Sequence, residues 1–214
     1  MNSALVPVKG LAAGKSRLRG ALAREKLPAL TLAMLGDVLE ALRGVEAIGR
    51  IGVVTPDAAV CDAAKRAGAE GLLRGEPLNP ALDAAAADWA DPAGALLVVL
   101  GDVAGAASAE LAALFEALDN LGGRGAVLAP ARDGGSAALL RRPPHIVPNC
   151  FGAQSARAHR EAARQGGVSF RQLELPSLAI DLDCREDIAA LLQSPGPARR
   201  TRALLAELGL AGDA

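Results

Sequence analysis

ALLVVLGDV, from Ala95 to Val103, decides how the rest of the chain is read. The unbroken apolar run Ala95–Leu100 has the length and the Leu/Val content of a strand buried on both faces, and it ends at Gly101-Asp102. On either side, strand and helix patterns alternate. Upstream, Ala4–Val8 is a short strand with Pro7 near its end, and Lys26–Arg43 has helical spacing through Leu27, Leu30, Met34, Val38 and Leu42. Ile51–Thr55 (IGVVT) repeats the buried-strand pattern. Pro56-Asp57 opens a helix to about Ala67, and Asn79–Trp89 is an alanine-rich helix. Downstream, Ser108 reads as the N-cap of a helix to Leu118, and Ala126–Ala129 and Ala137–Leu140 read as strands. Gln154–Gln165 reads as a helix, Leu178–Leu182 as a strand, and Arg185–Leu192 and Ala198–Leu208 as helices. This alternation predicts an α/β architecture with a mainly parallel central sheet flanked by helices.

The chain has 214 residues, which suits a single domain over residues 1–214. Hydrophobic residues make up 51% and aromatics 2%, so the core must rest on Leu, Val, Ile and close alanine contacts. The net charge of −1 provides no global field for nucleic acid or an anionic membrane, so any anion site must be local. Cys61, Cys150 and Cys184 lack metal spacing and read as reduced thiols. Lys9 interrupts the apolar start, and no run approaches the ~20 residues of a membrane span, so a soluble cytoplasmic protein is expected.

After the first strand comes VPVKGLAAGKSRL (Val6–Leu18). Gly10, Gly14, Lys15 and Ser16 nearly spell a Walker A loop but leave three residues where that motif has four. Small residues let backbone N–H groups approach a phosphate, and Lys9, Lys15, Arg17 and Arg19 supply charge. The same composition suits a solvated basic loop; its place after the first strand of an α/β sheet favours ligand binding. Asp102, at the carboxyl end of the buried strand, is placed to hold a metal or to stabilise a turn. Asp181 and Asp183, two apart in AIDLDCRED, would share one face of a strand, where a cation would offset their repulsion; Asp183 could instead cap the next helix. Ser136 follows the Gly-Gly turn of ARDGGSAALL, and Gly152 and Ser155 open the helix in NCFGAQSARAH, where exposed N–H groups suit an anion. His145 and His159, the only histidines, show no pairing with a nucleophile and read as surface or structural.

Taken in order, VPVKGLAAGKSRL, IGVVTPD, EPLNPAL, VVLGDV, PARDGGSAALL, FGAQSARAH and IDLDCREDI resemble the guanylyltransferases of coenzyme F-420 biosynthesis, which act on 2-phospho-L-lactate, phosphoenolpyruvate or 3-phosphoglycerate. The resemblance covers almost the whole chain. It implies a Rossmann-like, GT-A-like nucleotidyltransferase fold, GTP and a small phosphorylated acid as partners, Mg²⁺ as cofactor, and suggests a homodimer. It also implies metal ligation by Asp102, Asp181 and Asp183, and acceptor binding by Ser136, Gly152 and Ser155. Lys9, Gly14, Lys15 and Arg17 would hold the nucleotide, with Lys9, Lys15 and Arg17 also offsetting charge in the reaction; Asn79 would help hold the nucleoside. Ala104 stands where the family usually has proline, and Ser136 where it often has threonine. Two other readings stay open: a different nucleotidyltransferase of this fold, of molybdenum-cofactor or sugar-phosphate type, and a non-catalytic nucleotide-binding module. A dinucleotide dehydrogenase fits poorly, since no G-x-G-x-x-G follows the first strand.

Overall fold

In the computed structural model, which describes residues 1–11, 18 and 22–210, the run at Ala95 is indeed a fully buried strand. The strands are β1 (Ser3–Pro7), β2 (Arg50–Thr55), β3 (Glu70–Leu73), β4 (Leu96–Val99), β5 (Gly125–Pro130), β6 (Ser136–Arg142) and β7 (Phe170–Gln172). The helices are α1 (Leu27–Arg43), α2 (Ala58–Arg66), α3 (Leu78–Trp89), α4 (Ser108–Asn120), α5 (Ser155–Gln165), α6 (Arg185–Gln193) and α7 (Arg199–Glu207). All seven strands join one sheet in the order β3-β2-β1-β4-β6-β5-β7. The pairs β1–β2, β1–β4, β2–β3 and β5–β7 are parallel, and β6 runs antiparallel to both its neighbours.

The period-two alternation of strand side chains divides the core between the two faces of the sheet. Leu97 and Val99 of β4 join Ala4 and Val6 of β1 in the core shared with α1 and α4, whereas Leu96, Val98 and Leu5 face α3. That is why the buried strand reads as a continuous apolar run rather than an alternating one. A third cluster, from Leu30, Met34, Leu182, Ile188, Leu191 and Leu205, ties α1 to the C-terminal helices.

This topology positions the site. Chain order reverses between β1 and β4: β1 leads outward to β2 and β3, and the chain returns to β4 on the other side. A crevice at the carboxyl ends of the strands forms at such a switch point. Because β6 is antiparallel, its first residue, Ser136, arrives at the same edge, with Val99 paired to Ala138. Gly101 makes the close approach possible. A Cβ there would lie 2.8 Å from Val8 Cγ2 and 3.0 Å from the Pro7 carbonyl, and its own N–H donates to that carbonyl.

Some expectations are corrected. Leu178–Leu182 is not a strand: Pro176–Leu178 is a 3-10 turn, and the Leu182 N–H donates to the Asp102 carbonyl rather than to a sheet ladder. The alternation is real, since Leu182 is buried while Asp181 and Asp183 point out, but no neighbouring strand pairs with it. Ser108 is not a cap; Ala107 holds that position, and the Ser108 hydroxyl donates to the Ala41 carbonyl. Asp183 does not cap α6: Cys184 and Asp187 form the capping box, with the Asp187 carboxylate accepting from the Asp183 and Cys184 N–H groups. β3 and β7 were not expected; both are sheet-edge strands with half-exposed or exposed residues, so neither carries an apolar run.

Candidate active site

Lys9, Asp102, Ser136, Gly152, Ser155, Asp181 and Asp183 line one cavity of about 400 Å³, together with Asp133. Each reaches it by a separate route. Lys9 leaves the end of β1, and the loop it begins is held by Asp57: one carboxylate oxygen accepts the Leu11 N–H at 2.9 Å, and the other accepts the Ala59 N–H to cap α2. Gly14, Lys15 and Arg17 lie outside the described residues. Asp102 follows β4 directly. Because its carbonyl receives the Leu182 N–H at 3.2 Å, the segment bearing Asp181 and Asp183 lies against it.

The result is a concentration of carboxylates. Burial, then the charges of Asp102, Asp133 and Asp183, push the Asp181 carboxyl up to about 6. Among the described residues, no three acidic, histidine or cysteine side chains stand close enough to form a ready-made metal cage. The donor set is nonetheless of the hard-oxygen kind that suits Mg²⁺, which takes one or two carboxylates and completes its shell with waters and phosphate oxygens.

The turn at Asp133–Ser136 packs on the start of α5. The Gly135 N–H bonds the Asp133 carboxylate at 2.7 Å, and Gly134, at φ +87°, takes a conformation that glycine allows. Gly152, at φ +141°, does the same just before α5, and Gln154 turns the chain in the left-handed region at φ 54°. The helix start differs from expectation: the Ser155 N–H donates to the Gly152 carbonyl and the Ala156 N–H to the Gly134 carbonyl, so these groups are not exposed donors. Ser136 and Ser155 are among the residues lining the cavity here, each only 1% exposed. They are linked, since the Ser136 N–H donates to Ser155 Oγ at 2.7 Å.

Asn79 is not among the cavity's lining residues. Its amide bonds the Phe151 backbone both ways: Nδ2 donates to the carbonyl at 3.0 Å and Oδ1 accepts the N–H at 2.9 Å. It therefore clamps the segment before Gly152, with both polar atoms committed. His159 was also underread: it is fully buried, 2.9 Å from Ser136 Oγ. The only hint in the sequence is its place one helical turn after Ser155.

A larger cavity of about 630 Å³ shares a wall with this one: Arg132 and Ile180 face it, while Asp133 and Asp181 face the site. Its Glu110 already accepts from the Ser177 hydroxyl and N–H, and the cavity gathers no comparable set of charged groups.

The sheet places acids and a lysine at its switch point, and solved structures of nucleotidyltransferases share its fold. A candidate nucleotide-diphospho-sugar transferase from Desulfovibrio desulfuricans superposes with a TM-score of 0.74 at 21% identity, covering 98% of this chain and 96% of its own. CMP:2-keto-3-deoxy-manno-octonic acid synthetase complexed with CTP superposes at 0.62 and 13% identity, covering 97% and 99%. The sequence then narrows the class. Residues 2–213 match the family described as "Guanylyl transferase CofC like", and the chain belongs to that family. It is 42% identical to the phosphoenolpyruvate guanylyltransferase of Rubrobacter xylanophilus, over 93% of this chain and 97% of that one. It is 37% identical to the 3-phospho-D-glycerate guanylyltransferase of Phenylobacterium zucineum, over 97% of each.

Proposed function

We propose that the protein transfers GMP from GTP to the phosphate of a small phosphorylated acid, releasing pyrophosphate, as a step in coenzyme F-420 biosynthesis. The observation that carries this reading is one cavity lined by carboxylates, Lys9 and two serines. Such a lining suits a nucleotide with its cation beside a second anion. The relatives named above, which act on phosphoenolpyruvate and 3-phospho-D-glycerate, favour a three-carbon phospho-acid.

An oxygen of the acceptor phosphate attacks the α-phosphorus of GTP, and pyrophosphate leaves. That phosphate is ionised at neutral pH, so the reaction needs no general base. The difficulty is bringing two anions together. Lys9, at the end of β1, offsets charge on the nucleotide phosphates, with Lys15 and Arg17 of the same loop as further candidates. Ser136, Ser155 and the Gly152 backbone orient the acceptor. Asp102, Asp181 and Asp183 would hold Mg²⁺, which stabilises charge developing on the phosphates and leaving group.

The test is a screen of 2-phospho-L-lactate, phosphoenolpyruvate and 3-phospho-D-glycerate against GTP, ATP, CTP and UTP with Mg²⁺, following pyrophosphate. Turnover with GTP and one phospho-acid is expected. Equal turnover with another triphosphate contradicts the guanylyl assignment, and tight GTP binding with no turnover on any acceptor favours a binding module.

A further inference from the structure

Ser136 makes two contacts at the cavity wall whose proton directions can be worked out. Its N–H donates to Ser155 Oγ at 2.7 Å, and its hydroxyl oxygen lies 2.9 Å from His159 Nδ1. Distance alone leaves open which atom donates across the second contact. The other ring nitrogen settles it. His159 Nε2 lies 2.9 Å from the Cys150 nitrogen, whose N–H can only donate, so Nε2 must present its lone pair. A neutral imidazole with a bare Nε2 carries its proton on Nδ1. The Nδ1–H is then shared between Ser136 Oγ and the Ser155 backbone carbonyl, and the Ser136 hydroxyl proton is not spent on His159. Ser136 is 1% exposed and is one of the residues lining the cavity, so the cavity is where that proton can be directed.

The surroundings keep the ring in this form. His159 is fully buried, with Phe151 edge-on at a ring-centroid distance of 4.9 Å. Burial first, then the positive charge of Arg141, push the imidazole down to about 4, against a hydrogen bond with the Ser155 backbone. Arg141 is itself only 1% exposed and is held by the Val147 carbonyl, so its charge is fixed behind the wall.

We propose that His159 is a positioning residue of the acceptor site: its Nδ1–H occupies the Ser136 oxygen from behind and leaves the hydroxyl proton to be donated to an anionic oxygen of the phospho-acid in the cavity. With the opposite tautomer, Ser136 would donate backward to the ring and present lone pairs to an anion. This rests on the reading of Ser136 as an acceptor contact.

Two substitutions separate this role from simple support of the fold. H159N can place an amide N–H₂ near the Nδ1 position but loses the acceptor for the Cys150 N–H. H159Q can place an amide oxygen near the Nε2 position but loses the donor to Ser136. With phosphoenolpyruvate as the acceptor probe, H159Q should raise its apparent KM by about 10-fold with GTP KM little changed, while H159N stays nearer the wild type. The reverse order, with H159N worse, would show that His159 merely supports the Cys150 loop and would overturn the proposal. S136A serves as the control: an unchanged phosphoenolpyruvate KM in that variant overturns the acceptor-site reading and the proposal with it. A raised KM in S136A beside a wild-type KM in H159Q overturns the proposal alone. Because the chain has only two histidines, ¹⁵N-histidine NMR of the wild-type protein reads the tautomer without any variant. A protonated Nδ1 at His159 is expected, and a protonated Nε2 contradicts the assignment.

Discussion

At neutral pH the buried imidazole of His159 is uncharged, whereas in the unfolded chain a histidine titrates near ~6.5. The folded value of about 4 lies below that. Between the two values the unfolded state binds a proton that the native state does not, so stability falls as pH drops through this window and is unaffected by His159 above it. The full effect is about 3 kcal/mol. Urea melts of the wild type from pH 7.5 to 4 should show that loss, and H159N, lower in stability throughout, should show a shallower slope. An equal slope in both would assign the acid sensitivity to other groups. Ser155 gives a second prediction at this scale. S155A removes a cavity hydroxyl and the acceptor of the Ser136 N–H. Its acceptor KM should rise more than its GTP KM, at a cost of about 1.5–3 kcal/mol in binding. A selective loss of GTP affinity would mean that the two substrate positions are exchanged.

Among the elements, the start of α3 and the ends of β1 and β4 determine the shape of the site. Asn79 holds the Phe151 backbone from α3, so N79A should free the segment leading to Gly152 and weaken the phospho-acid more than GTP. The sequence reading of Asn79 as a nucleoside contact predicts the opposite order, and steady-state kinetics with each substrate varied distinguish them. Gly101 is the point of close approach between β4 and β1. G101A should cost about 1–3 kcal/mol in denaturant unfolding, because the new methyl meets the Pro7 carbonyl as well as the Val8 side chain, and backbone cannot swing aside. Element by element, the sequence was legible where burial was complete. β1 and β4 are buried along their whole length and β2 from Gly52 to Thr55, and α1 repeats its leucines at helical spacing. It was illegible where pairing rather than hydrophobicity makes the strand, as in the half-exposed β3 and the three-residue β7. The misread strand at Leu178–Leu182 is the converse. Ile180 and Leu182 are buried while Asp181 and Asp183 are not, which mimics a strand although no ladder forms.

At the scale of the whole molecule, the sheet order gathers groups from Lys9 to Asp183 at one edge. Local patterns suggested which residues matter, but they could not show that the antiparallel β6 brings Ser136 beside the carboxylates, nor that His159 stands behind it. Both depend on long-range pairing. The carboxylate wall also bears on stability: burial and three neighbouring acids already disfavour ionised Asp181, so removing one negative charge relieves repulsion. The most direct test of a cation-dependent guanylyl transfer at this cavity is therefore D102N. Pyrophosphate release from GTP and the preferred phospho-acid would be measured with Mg²⁺, beside thermal melts without metal. Turnover should fall about 100-fold or more, on the scale of losing one preorganised electrostatic group, with metal-free stability unchanged or raised and less stabilisation by added Mg²⁺ and GTP. Near-normal Mg²⁺-dependent turnover, or a variant that simply unfolds, would contradict this and leave Asp102 as a structural turn residue.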